Sequence, residues 1–169
     1  MLAKLRRILR HRWLDESDTR RAIPEDLVER LARRVAASEQ RHTGEVRIYV
    51  EAGLPFSYLW RDCTPRERAI AMFGKLRVWD TEQNNGVLIY LLLAEHAIEI
   101  VADRGLSRHV SHEQWQEIVR RMGRAFHEGR FEDGLTQALE EVSALLVRHF
   151  PAAPGSANPN ELSDRPMLG

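Results

Sequence analysis

Val87-Leu88-Ile89-Tyr90-Leu91-Leu92-Leu93 is apolar at every position. A strand turns successive side chains to opposite faces, so a run without alternation demands cover on both. The uncharged stretch Gly86–Ala94 is far shorter than the about 20 residues that a membrane-crossing helix needs. It therefore reads as a central strand, and the rest of the chain must supply a layer on each side of it. With 169 residues, the chain can bury one substantial core and has little room for a second.

The flanking segments supply those layers. Pro24 suits a first helical turn, Glu25 and Asp26 favour its positive end, and Leu27, Val28, Leu31, Val35 and Ala36 recur at helical spacing. Thr43-Gly44 stops that helix. Val46-Arg47-Ile48-Tyr49-Val50-Glu51 alternates with period two and is rich in β-branched residues, so it predicts a first strand. Ala52 to Cys63 is expected to be an irregular loop, with Phe56, Tyr58 and Trp60 covering the core or facing a partner. Thr64 caps a second helix with Pro65 at its first position and Glu67 completing a capping box, and the helix is expected to end near Val78. After the central strand, Ala94-Glu95-His96 turns the chain into an antiparallel strand over Ala97–Ala102. Ser111 with Gln114 forms another capping box, starting a helix to about Glu128, and a last helix runs from Phe131 to His149.

The element order places three separated segments on one rim. If the first two strands run parallel, the second helix is their crossover and both strands begin on one edge. The third strand runs back and finishes there. Thr43-Gly44-Glu45, Asp80 to Gly86, and Asp103-Arg104-Gly105 then converge. Asp80, Glu82, Asn84, Asn85 and Asp103 bring hard oxygens, which suit calcium with its about six to eight oxygen ligands. The spacing is not that of an EF-hand. The simpler reading is a turn, in which Asn and Gly adopt left-handed backbone and Asp accepts backbone hydrogen bonds.

Charge and composition divide the chain into three parts: a basic head over 1–22, expected to be helical; a body over 23–150; and a tail over 151–169. The tail's four prolines suit neither a helix nor an inner strand, so it is expected to be extended or disordered. Lys4, Arg6, Arg7, Arg10 and Arg12 face no acid within residues 1–13, so a net charge of zero leaves the remainder acidic. That balance argues against nucleic acid as a partner. Basic residues interrupt every apolar run of the head, which excludes a secretory signal and gives a cytoplasmic expectation. As a helix, Leu2, Leu5, Leu9 and Trp13 form an apolar stripe among arginines, which suits either an anionic membrane surface or docking on the domain itself. The lone Cys63 cannot form an internal disulfide. His109, His112 and Glu113 lack the four-residue histidine spacing of a zinc protease, and no nucleophile elbow or phosphate loop is present. No residue is therefore assigned a catalytic role.

Several blocks, in order, resemble the TPM-domain family: Thr43 to Glu51, Asn85 to Ile89, Glu99 to Leu106, the spacing to Trp115, and Phe126 to Leu135. The resemblance spans about residues 23–150. It implies a three-layer α/β/α sandwich with a small mixed sheet. It also implies calcium near the strand ends, carried over to Asp80, Asn85 and Asp103, and no other cofactor. Family members include envelope and membrane-associated accessory proteins, so the implied role is a non-enzymatic accessory domain with a membrane or envelope partner, peripheral to the inner membrane. Some members are acid phosphatases, which makes metal-assisted hydrolysis of phosphate esters the alternative; Asp80, Asp103 and Arg104 are the groups here that suit it.

Overall fold

The computed structural model describes residues 2–155 and 159–169. Two helices, α1 (Leu2–Arg12) and α2 (Glu16–Ala22), precede α3 (Glu25–Glu39). Strand β1 (Val46–Glu51) follows, then α4 (Phe56–Trp60), α5 (Pro65–Lys75) and β2 (Val87–Leu92). A single 3-10 turn leads into β3 (Ala97–Ala102). The chain continues through α6 (Arg104–Ser107), α7 (His112–His127), α8 (Phe131–His149) and β4 (Met167–Leu168).

The sheet order is β3-β2-β1-β4. β1 and β2 run parallel with Val46 opposite Val87, and β3 returns antiparallel with Ala102 opposite Val87. The central strand is β2, and it is buried along its whole length. Its alternate residues serve two cores. Val87, Ile89 and Leu91 join Leu31 and Val35 of α3, Met122 and Phe126 of α7, and Leu139, Val142 and Leu146 of α8. Leu88, Tyr90 and Leu92 join Leu59 of α4 and Ala69 and Met72 of α5. The fold is thus a mixed sheet between two helical layers, as the non-alternating run requires.

Both capping boxes form. Thr64 accepts from the Glu67 amide while Glu67 accepts at Thr64, and Ser111 and Gln114 do the same. Four local features depart from the sequence expectation. A further box, Asp15 with Asp18, starts α2 inside the basic head. The loop after β1 contains α4, because Pro55 presets its entry and buried Leu59 anchors it. α5 ends three residues before Val78, where Arg77 takes left-handed backbone with φ 56°. Met167 and Leu168 form an edge strand beside Tyr49 and Val50, just past Pro166, where a missing N–H is tolerated.

β3 forms the other edge. There the Arg66 guanidinium, from α5, donates to the Ile100 carbonyl and lies 3.6 Å from Glu99. No helix among the described residues is long and apolar enough to cross a membrane.

Candidate functional site at the strand-end rim

The ladder registers bring the three rim segments together. The Val87 amide donates to the Glu45 carbonyl at 2.8 Å, and the Asp103 amide donates to the Gly86 carbonyl at 2.9 Å. The loop before β2 is folded down onto the start of α6. Asn84 takes left-handed backbone with φ 51°, and its carbonyl accepts from the Gly105 amide at 2.8 Å. Gly105 is required there: a Cβ would stand 2.3 Å from the Asn84 carbonyl oxygen and 2.7 Å from that of Gln83.

Asn85 is almost wholly buried, with 1% of its surface exposed, and its orientation is fixed by a chain of donors. Its amide N–H donates to Thr81 Oγ1 at 3.1 Å. The Thr43 hydroxyl donates its one proton to Gln83 Oε1 at 2.8 Å, so it must accept from Asn85 Nδ2 at 3.2 Å. That leaves Asn85 Oδ1 buried without a hydrogen-bond partner among the described residues. Asp103, 8% exposed, caps α6: its Oδ1 accepts from the Arg104 amide at 2.7 Å. Its Oδ2 is likewise buried and without a partner. Asn85 Oδ1 and Asp103 Oδ2, like Glu45 Oε1 on the same rim, are therefore desolvated and unanswered among the described residues, a condition that costs about 1–3 kcal/mol for each group.

The other acidic and amide residues of the loop are held by contacts of their own, through the side chain at Asp80 and through the backbone at Glu82 and Asn84. Asp80 is half exposed and pairs with Arg77 at 2.5 Å. The Glu82 amide donates to the carboxylate of Glu161, at 3.2 and 3.3 Å to its two oxygens. Asn84 uses its backbone to clamp Gly105. Among the described residues no three His, Cys, Asp or Glu side chains converge as a metal site. The chemistry open to the rim is thus that of a hard cation met by one carboxylate, one amide oxygen and nearby carbonyls, with water completing its shell.

Buried ionisable groups lie at the same end of β1; the sequence pointed to Glu45 there but not to Glu39 or His42. Glu39, at the end of α3, accepts from the Val46 amide at 2.8 Å, and burial pushes its carboxyl up to about 8. His42 is fully buried, bonded through Nε2 to Ser38 Oγ at 2.8 Å, and burial pushes it down to about 4. Glu45 accepts from the Leu162 amide at 3.0 Å and is also raised by burial. One signal marks them: Leu31, Val35, Glu39 and His42 continue the inward stripe of α3 at helical spacing.

The remaining candidates are surface or structural groups. His109 stacks on His149 with ring centroids 4.7 Å apart, and exposed His112 bonds to Gln116, so the histidines share no ligand geometry. Phe56 and Trp60 are exposed, whereas Tyr58 is partly buried beneath the Arg68 guanidinium.

Comparison with known proteins agrees with this architecture. The BA42 protein of the psychrophilic bacterium Bizionia argentinensis, known from an NMR structure, superposes with a TM-score of 0.70 at 24% identity, covering 83% of this chain and 91% of that one. The N-terminal domain of a P. gingivalis protein, also solved by NMR, gives 0.61 at 17% identity, covering 78% and 83%. These likenesses show a shared fold. Among the curated proteins nothing matches. The TPM-domain profile matches residues 17–145, from within α2 nearly to the end of α8, and the chain therefore belongs to the TPM-domain family.

Proposed function

We propose that this TPM domain is a non-enzymatic accessory module whose strand-end rim binds a calcium-class divalent cation and thereby modulates contact with a membrane or envelope partner. The observation that supports this reading is the pair of unanswered buried oxygens, Asn85 Oδ1 and Asp103 Oδ2. A hard cation is the ligand that two desolvated acceptors without a donor would attract. Only one of the two carries formal charge, so most of the shell falls to carbonyls and water, and the affinity is that of a modest site. Asp80 would join by exchanging its ion pair with Arg77 for the cation.

Calorimetric titration with calcium, followed by a thermal melt, tests the reading. Heat and a rise in melting temperature are expected for the native chain and for neither Asp103→Asn nor Asn85→Ala. Absence of both signals in the native chain removes the cation from the reading.

A further inference from the structure

Helix α1 is docked the wrong way round for a helix that belongs to its own domain. An ordinary surface helix turns its apolar stripe inward. Here Lys4, Arg7 and His11, spaced i, i+3, i+7, face the body. Arg7 donates to Glu95 at 2.8 Å, to Asp62 at 3.0 Å and to the Cys63 carbonyl at 2.7 Å. His11 is buried; its Nδ1 accepts from the Leu54 amide at 3.0 Å, so its Nε2–H donates to Glu95 at 2.9 Å. Lys4 donates to the Trp60 carbonyl at 2.6 Å. The backbone itself comes close: a Cβ on Gly53 would stand 2.7 Å from the His11 carbonyl oxygen.

Leu2, Leu5 and Leu9 repeat the same spacing two residues earlier, about 200° around the helix, and so point away from the domain. They are 84%, 54% and 51% exposed, and Trp13, just past the helix end, is 84% exposed. Trp60 and Phe56 of the neighbouring α4 are exposed too, with Lys4 Nζ 5.4 Å from the Trp60 ring centroid. Arg6, Arg10 and Arg12 flank the outward stripe, and among the described residues they form no salt bridge. A leucine and tryptophan ridge bordered by unneutralised arginines matches the two layers of an anionic bilayer surface, with acyl carbon inside and phosphate outside.

We infer that α1 is an interfacial anchor, fixed to the body by Arg7 and His11, which lays the domain on an anionic lipid surface through Leu2, Leu5, Leu9 and Trp13. The charge border selects lipid over a second copy of the chain, because two such ridges facing each other would oppose arginine to arginine. The inference stands apart from the cation reading, since none of these residues belongs to the rim.

The test is flotation of the full chain with vesicles of phosphatidylglycerol mixed into phosphatidylcholine, and with phosphatidylcholine alone. The native chain should float with the anionic vesicles and hardly with the neutral ones. Leu5→Glu with Leu9→Glu should abolish flotation, while Arg6→Ala with Arg10→Ala should weaken partitioning by about thirtyfold, two charges at about 1 kcal/mol each. All four positions are exposed, so unchanged thermal melts are expected and serve as the folding control. No flotation of the native chain overturns the inference, and so does equal flotation of the Leu5→Glu, Leu9→Glu variant. A dimer in light scattering that this variant disperses, without vesicle binding, assigns the ridge to a second copy instead and also overturns it.

Discussion

The two rims of the sheet carry buried polar groups in opposite condition. At the far end of β1 Glu51, 6% exposed, receives two bonds from the Arg68 guanidinium, at 2.5 and 3.0 Å, and one from the Tyr90 hydroxyl at 2.8 Å. Arg68 also lies over the Tyr58 ring at 4.9 Å. Both oxygens of that carboxylate are answered from within the fold. At the opposite rim, where β2 begins and β3 finishes, Asn85 Oδ1 and Asp103 Oδ2 have no donor among the described residues. A buried charge matched by its neighbours holds a structure in one arrangement, whereas acceptors left open have hydrogen-bonding capacity still to be met. The same sheet thus ends in a lock on one rim and a proposed receptor on the other.

The largest effect should come from breaking the lock. Arg68→Met leaves Glu51 buried without its cation and should cost about 3–5 kcal/mol in urea unfolding. A loss below about 1 kcal/mol would mean that the far end is no more structural than the near one. Asp103→Asn should behave otherwise. Asparagine still caps α6, so stability without calcium should shift by less than about 1 kcal/mol. The gain of about 2.7 kcal/mol expected at a hundredfold excess of calcium over Kd should vanish. The same variant decides the alternative chemistry: phosphate-ester turnover by the native chain that Asp103→Asn abolishes would mark the rim as catalytic.

Gly105→Ala comes next. Its methyl group would meet two backbone carbonyls that cannot swing aside, so a loss of about 2 kcal/mol and a weaker calcium heat should appear together. A stability loss with calcium binding intact would separate the loop clamp from the receptor.

The smallest effect is a slope with pH. The folded chain retains the Glu39 proton up to about pH 8, whereas an ordinary carboxyl gives it up near 4.5, so stability falls as pH rises across that window. His42 works in the opposite sense, since its folded value of about 4 lies below the usual 6.5 and stability falls as pH drops through that range. Above pH 6.5 only the Glu39 slope remains of the two. Urea melts from pH 6.5 to 8 should show declining stability in the native chain and a flatter line in Glu39→Gln.

Much of the architecture was legible in the residues. The unalternating Val87–Leu93 run demanded a two-sided sheet, and the boxes at Thr64 and Ser111 fixed two helix starts. Chain order alone brought Thr43, Asn85 and Asp103 to one rim. The features that escaped depend on contacts between distant segments. Leu59 anchors α4 only once a sheet exists to bury it. Met167 and Leu168 become a strand only because β1 offers an open edge. Glu51 looked like the polar face of an alternating strand, and nothing local announces Arg68 and Tyr90 as its partners. Asp80 is drawn to Arg77 by a left-handed turn that no pattern in the loop foretells.

The guanidinium seated at the open margin of β3 has a consequence for the protein at high concentration. An incoming strand would need the Ile100 carbonyl that Arg66 already occupies, and it would have to expel a charge to reach it. The opposite margin is taken by Met167 and Leu168. A charged side chain on one flank and a two-residue strand on the other shorten the template that each offers, which disfavours the joining of crowded copies into a continuous ribbon.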